Sequence, residues 1–327
     1  MGAVLYARGR FMVMMWERVD SPSKEVLEAP AQDIETLLRV RAWEVEDSPC
    51  DLGYEVVRDW PRLPSGWRLG QVAGVAVDAE GRYYVYHRGE EAPPLICFNR
   101  EGEYLLSWGE DAYVRPHMVK CDEDGNIWLI DDGGHILYLY TPDGELLKTL
   151  GTKEVPGEDG SHFNRPTDIA FGLRGGFYVS DGYGNSRIAR FDRDLNFLGQ
   201  WGSEGDMEGQ FILPHAITTD AEGLVYVADR NRWRVQIFNP EGRFLRQWTH
   251  IGKPFGIVYK EEGCLYICDG TNARVTKVAR SGIVKGFFGV PGSEVGQLST
   301  AHDIAVAPNG DILLAHLDGR AQLFSLV

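Results

Sequence analysis

The chain has 327 residues, of which 43% are hydrophobic and 25% charged, and its mean hydropathy is −0.26. This composition is typical of a globular protein with enough apolar surface for a large core. A formal net charge of −15 and a pI near 5.0 argue against nucleic acids and anionic membranes as partners, because both repel an acidic surface.

The first 50 residues carry no copy of the repeat that fills the remainder. We therefore predict an N-terminal extension at 1–50 and one repeat domain at 51–327. Residues 23–41 have a weak helical periodicity, which Pro30 interrupts. The apolar run at 12–16 is too short to span a membrane, and no small-residue cleavage site follows it. We expect no signal peptide and a cytoplasmic protein.

The five cysteines are odd in number and scattered, so they do not indicate a secreted disulfide framework. Cys264 and Cys268 lie four residues apart on one predicted strand. We expect them to be small core residues rather than a metal-binding pair.

From residue 54 onward, a unit of about 40–50 residues with four short strands recurs six times. The first strand of a unit ends at a hairpin turn with Gly or Asn at a positive φ angle, as at 78–81 and 220–223. The second strand alternates with period two and usually ends in aspartate, as at 225–229. Six such units predict an all-β fold, a six-bladed β-propeller.

The last unit is incomplete. It supplies three strands, at 302–307, 311–315 and 321–326, and then the chain ends. The segment 54–61 resembles the fourth strands of other units, such as 197–202. We predict that this N-terminal strand closes the last blade, because closure removes a free sheet edge.

One position, which we call the slot, recurs at the start of each first strand. Its six copies lie in the strings Val72-Ala73-Gly74, Pro116-His117-Met118, Pro166-Thr167-Asp168, Pro214-His215-Ala216, Pro254-Phe255-Gly256 and Ala301-His302-Asp303. Histidine fills the second, fourth and sixth copies. Since alternate blades of six are about 120° apart, these three imidazoles are expected to converge on the channel axis.

Three imidazoles that leave one coordination position open predict a catalytic zinc site. With 8 histidines in 327 residues, any one position is histidine with a chance of roughly one in forty, so coincidence in three alternate copies is a weak explanation. The structural alternative is three buried, hydrogen-bonded histidines. The other five histidines lie outside the slot and are expected at the surface or in loops.

The ends of the second strands are expected to face the same channel mouth. Arg88 and Arg230 occupy the same repeat position there, and two guanidinium groups suit a carboxylate substrate. The alternative is a salt bridge from each arginine to a neighbouring turn aspartate. Tyr183, between Gly182 and Gly184, is a candidate general base beside a metal and cations, and its alternative role is packing.

Seven strings carry a family resemblance, in order along 54–327. They are His-Arg-Gly at 87–89, Pro-His at 116–117, Phe-Asn-Arg-Pro-Thr-Asp at 163–168, Asp-Gly-Tyr-Gly-Asn-Ser-Arg at 181–187, Phe-Ile-Leu-Pro-His at 211–215, Ala-Asp-Arg at 228–230 and His-Asp-Ile at 302–304. With them the chain resembles the NHL-repeat six-bladed propellers, and specifically the lyase domain of the peptidylglycine α-amidating enzymes (peptidylamidoglycolate lyases).

The resemblance implies zinc at the three slot histidines and a substrate surrounded by the tyrosine and two arginines named above. It also implies a structural calcium ion in the channel, with the carbonyls of Val75 and Val119 and the carboxylate of Asp303 as oxygen ligands. Two departures stand out. Gly184 replaces the family's cysteine beside the tyrosine, so that cysteine's disulfide is absent, and Thr300 replaces a methionine two positions before the last slot histidine.

We predict a zinc-dependent lyase that cleaves the C–N bond of an α-hydroxylated amide, an α-hydroxyglycine-like carbinolamide carrying a carboxylate. Its products would be an amide and an α-keto acid such as glyoxylate. Two alternatives stay open. One is a metal-dependent hydrolase of an ester or lactone, against which a histidine-rich channel argues. The other is a non-catalytic NHL interaction module that binds a partner on one propeller face.

Overall fold

The computed structural model describes Val4–Ala7, Arg10–Val13 and residues 50–327, the last range without Asp111 and Glu261. Most of the predicted N-terminal extension, including its expected helical periodicity, therefore lies outside the described residues.

The chain divides into two compact units, Met1–Glu46 and Asp47–Val327. In the first unit, strands Val4–Ala7 and Arg10–Val13 pair antiparallel. The second unit is a six-bladed β-propeller, which confirms the predicted fold class.

Each blade has four antiparallel strands, and the sheet of blade 5 has a fifth strand at its outer edge. The innermost strands of blades 1 to 6 are Val72–Val77, Pro116–Cys121, Asp168–Phe171, Pro214–Thr219, Pro254–Lys260 and Ala301–Val306. The second strands are Tyr83–His87, Ile127–Asp131, Phe177–Asp181, Val225–Asp229, Cys264–Asp269 and Ile312–His316. The third strands are Leu95–Phe98, Ile136–Tyr140, Arg187–Phe191, Arg234–Phe238, Arg274–Ala279 and Ala321–Leu326. The outer strands of blades 1 to 5 are Tyr104–Trp108, Leu146–Leu150, Phe197–Trp201, Phe244–Trp248 and Val284–Phe288.

The innermost strand of each blade contacts that of the next blade, and blade 6 contacts blade 1, so the ring is closed. In blade 6 the outer strand is Tyr54–Val56, which pairs antiparallel with Ala321–Leu326. Cys50–Asp51 adds a short parallel strand to Val284–Phe288 at the outer edge of blade 5. The N-terminal part of this unit thus covers the edges of two neighbouring blades.

The hairpins between first and second strands have the turn chemistry that their sequences predict. In blade 4, the Asp220 carboxylate accepts hydrogen bonds from the amides of Glu222 and Leu224, at 3.0 and 2.9 Å. Gly223 follows with φ +84°, a conformation that costs glycine little because it has no Cβ. The same positive φ occurs at Gly81, Gly125 and Gly310.

The hydrophobic core consists of six clusters, one between each pair of adjacent blades. Successive residues of a strand point to opposite faces, so each second strand packs against both neighbours. Tyr83 and Val85 pack toward blade 6, whereas Tyr84 and Tyr86 pack toward blade 2. This burial of both faces explains why the second strands are almost continuously apolar.

The cysteines and the short helical segments complete the description of the propeller. All five cysteines are free: Cys268 is buried between blades 5 and 6, and Cys264 is half-buried on the same strand. Helical structure in the described part of the propeller is limited to the 3-10 segments Leu173–Gly175 and Arg230–Arg232. Among the described residues, no helix has the length and apolar character needed to cross a bilayer.

Candidate active site

The slot histidines owe their orientation to bulges in the innermost strands. In blade 4 the pairing register skips His215, which lies between the paired residues Pro214 and Ala216. The innermost strands carrying His117 and His302 have bulges at the same place. A bulge leaves its extra residue unpaired and re-aims the side chain, here toward the channel.

The three slot histidines lie together, as predicted. Their ring centroids are 5.2 Å apart for His117 and His215, 5.0 Å for His117 and His302, and 4.8 Å for His215 and His302. All three are buried. One ligand atom from each lies within 4.8 Å of the other two.

Each slot histidine is held by the next blade. The Nδ1 atoms of His117, His215 and His302 lie 2.7 Å from the carbonyl oxygens of Thr167, Phe255 and Ala73, respectively. A carbonyl oxygen only accepts, so each Nδ1 carries the proton and each Nε2 has a free lone pair. These carbonyls belong to the three slot copies without histidine. All six slot residues therefore take part in the same set of contacts: three supply imidazoles and three supply the carbonyls that hold them.

Burial keeps these imidazoles neutral. It lowers the pKa of His302 from 6.5 to about 3. Burial, together with the neighbouring slot histidines, lowers the pKa of His117 well below its usual value, and burial beside His302 and Arg230 does the same for His215. Neutral imidazole is the form that binds a metal ion.

The donor set fits a metal ion. Three atoms within 4.8 Å of one another lie no more than about 2.8 Å from a shared centre, and metal–imidazole bonds of roughly 2.0–2.1 Å require only small side-chain shifts from there. The second ring nitrogens already donate to carbonyls, which is the usual support for ligating histidines. The three histidines can therefore hold a metal ion with a position left open.

Tyr183 lies at the open side of this cluster. Its Oη atom is 3.2 Å from Nε2 of His117 and 3.1 Å from Nε2 of His215. Gly182 is required for this approach, because a Cβ there would overlap the carbonyl oxygen of Pro214. The flanking glycines noted in the sequence thus bring the phenol against the slot histidines.

Arg230 contacts the tyrosine. Its Nη1 atom is 3.4 Å from Tyr183 Oη, and its Cζ atom is 5.6 Å from the centroid of that ring. The same guanidinium lies over Phe255, with Cζ 5.0 Å from the ring centroid. Cation–π contacts of this kind favour a fixed guanidinium orientation.

Arg88 lies beside the slot in blade 2. Its Nε atom donates to the carbonyl of Pro116 at 2.7 Å, and Nη1 donates to Gln71 Oε1 at 3.2 Å. Its Nη2 atom is buried and has no hydrogen-bond partner among the described residues. The salt bridges considered as an alternative for Arg88 and Arg230 do not form in the described part of the chain. Arg88 therefore retains a donor for a ligand.

Sequence reasoning missed a second arginine pair. The Cζ atoms of Arg165 and Arg115 lie 4.9 and 5.8 Å from the Tyr183 ring centroid. Both donate to the buried Asp132 Oδ2, at 2.9 and 2.5 Å. The sequence did contain a signal for their position near the channel, because each arginine directly precedes a proline that is followed by the slot residue. Together with Arg230, they place three guanidinium groups around one tyrosine.

The expectation that the other histidines lie at the surface or in loops is wrong for His87 and His316, which are buried. They occupy the last position of the second strand, where other blades have aspartate. His87 Nδ1 accepts from the amides of Gly70 and Gly89 at 3.3 and 2.8 Å. In blade 2, Asp131 accepts backbone amides in the same way. His87 therefore replaces a structural aspartate, whereas His316 Nε2 contacts the side-chain amide of Gln322 at 3.1 Å.

The residues implied for calcium lie one or two positions beyond the slot. Asp303 is buried directly after His302, and its Oδ2 accepts from the amide of Val75 at 3.1 Å. Val119 is buried in the innermost strand of blade 2. The Lys120 ammonium, next to Val119, lies 3.1 and 3.3 Å from the two Asp303 oxygens.

Comparison with known proteins shows which proteins this chain is similar to. The family model for the NHL repeat matches residues 211–238, which include His215 and most of blade 4. The chain is 30% identical over 312 residues to peptidyl-glycine α-amidating monooxygenase A of Xenopus laevis, an alignment that covers 83% of this chain and 33% of that protein. It is 31% identical over 228 residues to a probable peptidyl-α-hydroxyglycine α-amidating lyase of Caenorhabditis elegans, covering 59% of this chain and 65% of the relative.

The chain is a six-bladed β-propeller with an NHL repeat in blade 4, and it is similar to the α-amidating lyases. It spans about a third of the length of the Xenopus protein. Among solved structures, this propeller is similar to a streptogramin B lyase, with a TM-score of 0.59 and 13% sequence identity over 85% of this chain and 100% of that one. At that identity the likeness concerns the fold alone.

Proposed function

We propose that the protein is a zinc-dependent lyase that cleaves the C–N bond of an α-hydroxylated amide carrying a carboxylate. The products are an amide and an α-keto acid such as glyoxylate. One observation carries the proposal: Tyr183 Oη lies 3.2 and 3.1 Å from the Nε2 atoms of two of three converging neutral histidines. The relative named as a probable peptidyl-α-hydroxyglycine α-amidating lyase supports it.

His117, His215 and His302 would hold the zinc ion through Nε2. Zinc supplies Lewis-acid chemistry at such a site, since it polarises a hydroxyl group and lowers the pKa of that group. The carbonyls that fix the three Nδ1 protons hold the lone pairs in place before substrate arrives. The site is thus pre-organised by the backbone of the neighbouring blades.

The proton of the substrate hydroxyl would go to Tyr183. Its oxygen, as phenolate, accepts hydrogen bonds, and Arg230 Nη1 at 3.4 Å is a donor to it. The Cζ atom of Arg165, 4.9 Å from the ring centroid, adds positive charge beside the ring. When the O–H proton leaves, the carbonyl forms, the C–N bond breaks and its electron pair goes to the amide nitrogen. That nitrogen takes up one proton, so no other co-reactant is needed.

The substrate carboxylate would bind to Arg88 and Arg230. Arg88 offers the buried, unpartnered Nη2 donor, and Arg230 is oriented by the aromatic rings on either side of it. Hydrogen bonds between charged groups are among the strong ones, and they contribute specificity as well as affinity. The cationic channel mouth contrasts with the net charge of −15 of the chain. We propose a small carboxylate-bearing molecule as the partner, rather than nucleic acid or a membrane.

The test is release of glyoxylate by zinc-loaded protein from N-acyl, peptidyl and urea-type α-hydroxyglycine derivatives. We expect turnover of at least one class, and loss of turnover in His117→Ala. The matched control is His162→Ala, a partly exposed loop histidine outside the slot. If no derivative yields glyoxylate, the lyase proposal fails. Turnover of esters or lactones instead would favour the hydrolase alternative, and purified protein without metal would favour the interaction module.

A further inference from the structure

A lysine lies beside the carboxylate that the resemblance implies for a calcium ion. Asp303, its carboxylate ligand, is contacted by the Lys120 ammonium at 3.1 and 3.3 Å, so both carboxylate oxygens already have a cation. Nζ of Lys120 is also 3.7 Å from Asp168 Oδ1. One ammonium group therefore lies between two buried carboxylates on the channel axis.

The two carboxylates occupy equivalent places on opposite sides of the ring. Asp303 follows the slot of blade 6, and Asp168 follows the slot of blade 3. Asp303 Oδ2 accepts the amide of Val75 in the next blade at 3.1 Å, and Asp168 Oδ2 accepts the amide of Ile217 in its next blade at 3.0 Å. We call these two carboxylates the carboxylate layer. Backbone amides and one ammonium group provide its hydrogen bonds and its positive charge without a metal ion.

A calcium ion does not fit beside that ammonium. Calcium–oxygen bonds are roughly 2.3–2.6 Å long, so an ion on Asp303 would lie within about 5.7 Å of Lys120 Nζ. Both are cations inside a protein channel, where repulsion is screened less than in water. The residues present therefore disagree with the calcium site that the family resemblance implies.

The Lys120 side chain also lines the channel on the side away from the slot histidines. A cavity of about 280 Å³ is lined by all six innermost strands beyond the slot, and Lys120 is the only charged residue in its described lining. The Lys120 side chain is 18% exposed, whereas both carboxylates are fully buried. A cation that enters from this cavity meets the ammonium before it meets a carboxylate.

We propose that the Lys120 ammonium takes the place of a structural calcium ion, so that this propeller holds its central carboxylates without one. This inference is independent of the proposed activity, because it concerns the carboxylate layer and not the slot histidines. It predicts that calcium neither copurifies with the protein nor stabilises it. Removal of the ammonium should convert the layer into a calcium site, since two carboxylates then lack a cation.

The experiment compares wild type with Lys120→Ala and the charge-retaining Lys120→Arg, at constant zinc, with and without 5 mM calcium. We expect elemental analysis to find no stoichiometric calcium in wild type, and its melting temperature to stay unchanged. Lys120→Ala should melt lower, and calcium should raise its melting temperature by at least about 5 °C while binding near one ion per chain. Lys120→Arg should stay insensitive to calcium.

Lys260→Ala is the matched control, since Lys260 donates to the carbonyl of Ala307 at 2.9 Å and contacts no carboxylate of this layer. It should not acquire a calcium response. Stoichiometric calcium in wild type, or a Lys120→Ala protein that folds and ignores calcium, overturns the inference. If Lys120→Ala does not fold in either buffer, the calcium content of wild type decides alone: absence supports the inference and one ion per chain refutes it.

Discussion

Replacement of Tyr183 by phenylalanine isolates the one atom to which we assign proton transfer. The change removes Oη, which contacts His117, His215 and Arg230 at 3.2, 3.1 and 3.4 Å. It leaves the ring, over which Arg165 Cζ lies 4.9 Å from the centroid. The fold should therefore lose about 0.5–3 kcal/mol, the net contribution of one or two hydrogen bonds.

The effect on catalysis should be much larger. A general base contributes typically 10²–10⁴-fold, which is about 2.7–5.4 kcal/mol at 1.36 kcal/mol per decade of rate. The loss should fall on kcat, with KM changed by less than about threefold, because the arginines that bind the carboxylate remain. Steady-state glyoxylate release measures both constants, with equal zinc content verified in each sample. Tyr104→Phe, on an exposed outer strand, is the control. A Tyr183→Phe enzyme within tenfold of wild type would refute the assignment.

Three further predictions address the metal, the substrate and pH. His215→Ala should bind less than a tenth of the wild-type metal by elemental analysis, because a catalytic zinc site needs its full set of protein ligands. His162→Ala should retain the metal. Arg230→Gln should raise KM roughly 10–100-fold, because the loss of a hydrogen bond to a charged group costs about 1.5–3 kcal/mol. The increase in KM should vanish for a substrate whose carboxylate is converted to an amide. In metal-free protein the pKa of His302 lies at about 3, below its unfolded value of 6.5, so its contribution to stability is present above pH 6.5 and is lost as pH falls toward 3. Between pH 3 and 6.5, the free energy of unfolding of His302→Gln, measured with urea, should change with pH less steeply than that of wild type, by about 1.4 kcal/mol per pH unit. Equal slopes would contradict a buried neutral imidazole at His302.

The fold was predictable because its information is repeated. Six copies of a four-strand unit, with turn glycines and alternating strands, each indicate the same blade. The incomplete last copy indicated a strand from elsewhere, and Tyr54–Val56 occupies that position in the structure. Each repeat position also has a fixed place around the channel axis. Histidine in alternate copies of the slot therefore predicted that the three imidazoles meet on that axis. The tyrosine and arginine roles came from repeat position and side-chain chemistry, the resemblance to the α-amidating lyases implies the same roles, and they remain predictions.

What the sequence did not reveal depends on side-chain reach rather than on repeat position. Arg115 and Arg165 extend from the residues before the slot prolines to the Tyr183 ring, a path that no periodicity encodes. Lys120 lies three residues past a slot histidine, yet its long side chain ends between carboxylates of two other blades. His87 was misplaced for a different reason: a histidine can cap backbone amides where aspartate usually does, and hydropathy does not distinguish these roles.

The central claim is that three slot histidines hold a catalytic zinc ion. Anomalous X-ray scattering at the zinc absorption edge, on crystals of protein purified with zinc supplied, tests it most directly. The account predicts one peak, with Nε2 of His117, His215 and His302 at about 2.0–2.1 Å and Tyr183 Oη next to the open position. No peak between these three nitrogens, or a peak at Asp303 instead, would contradict it.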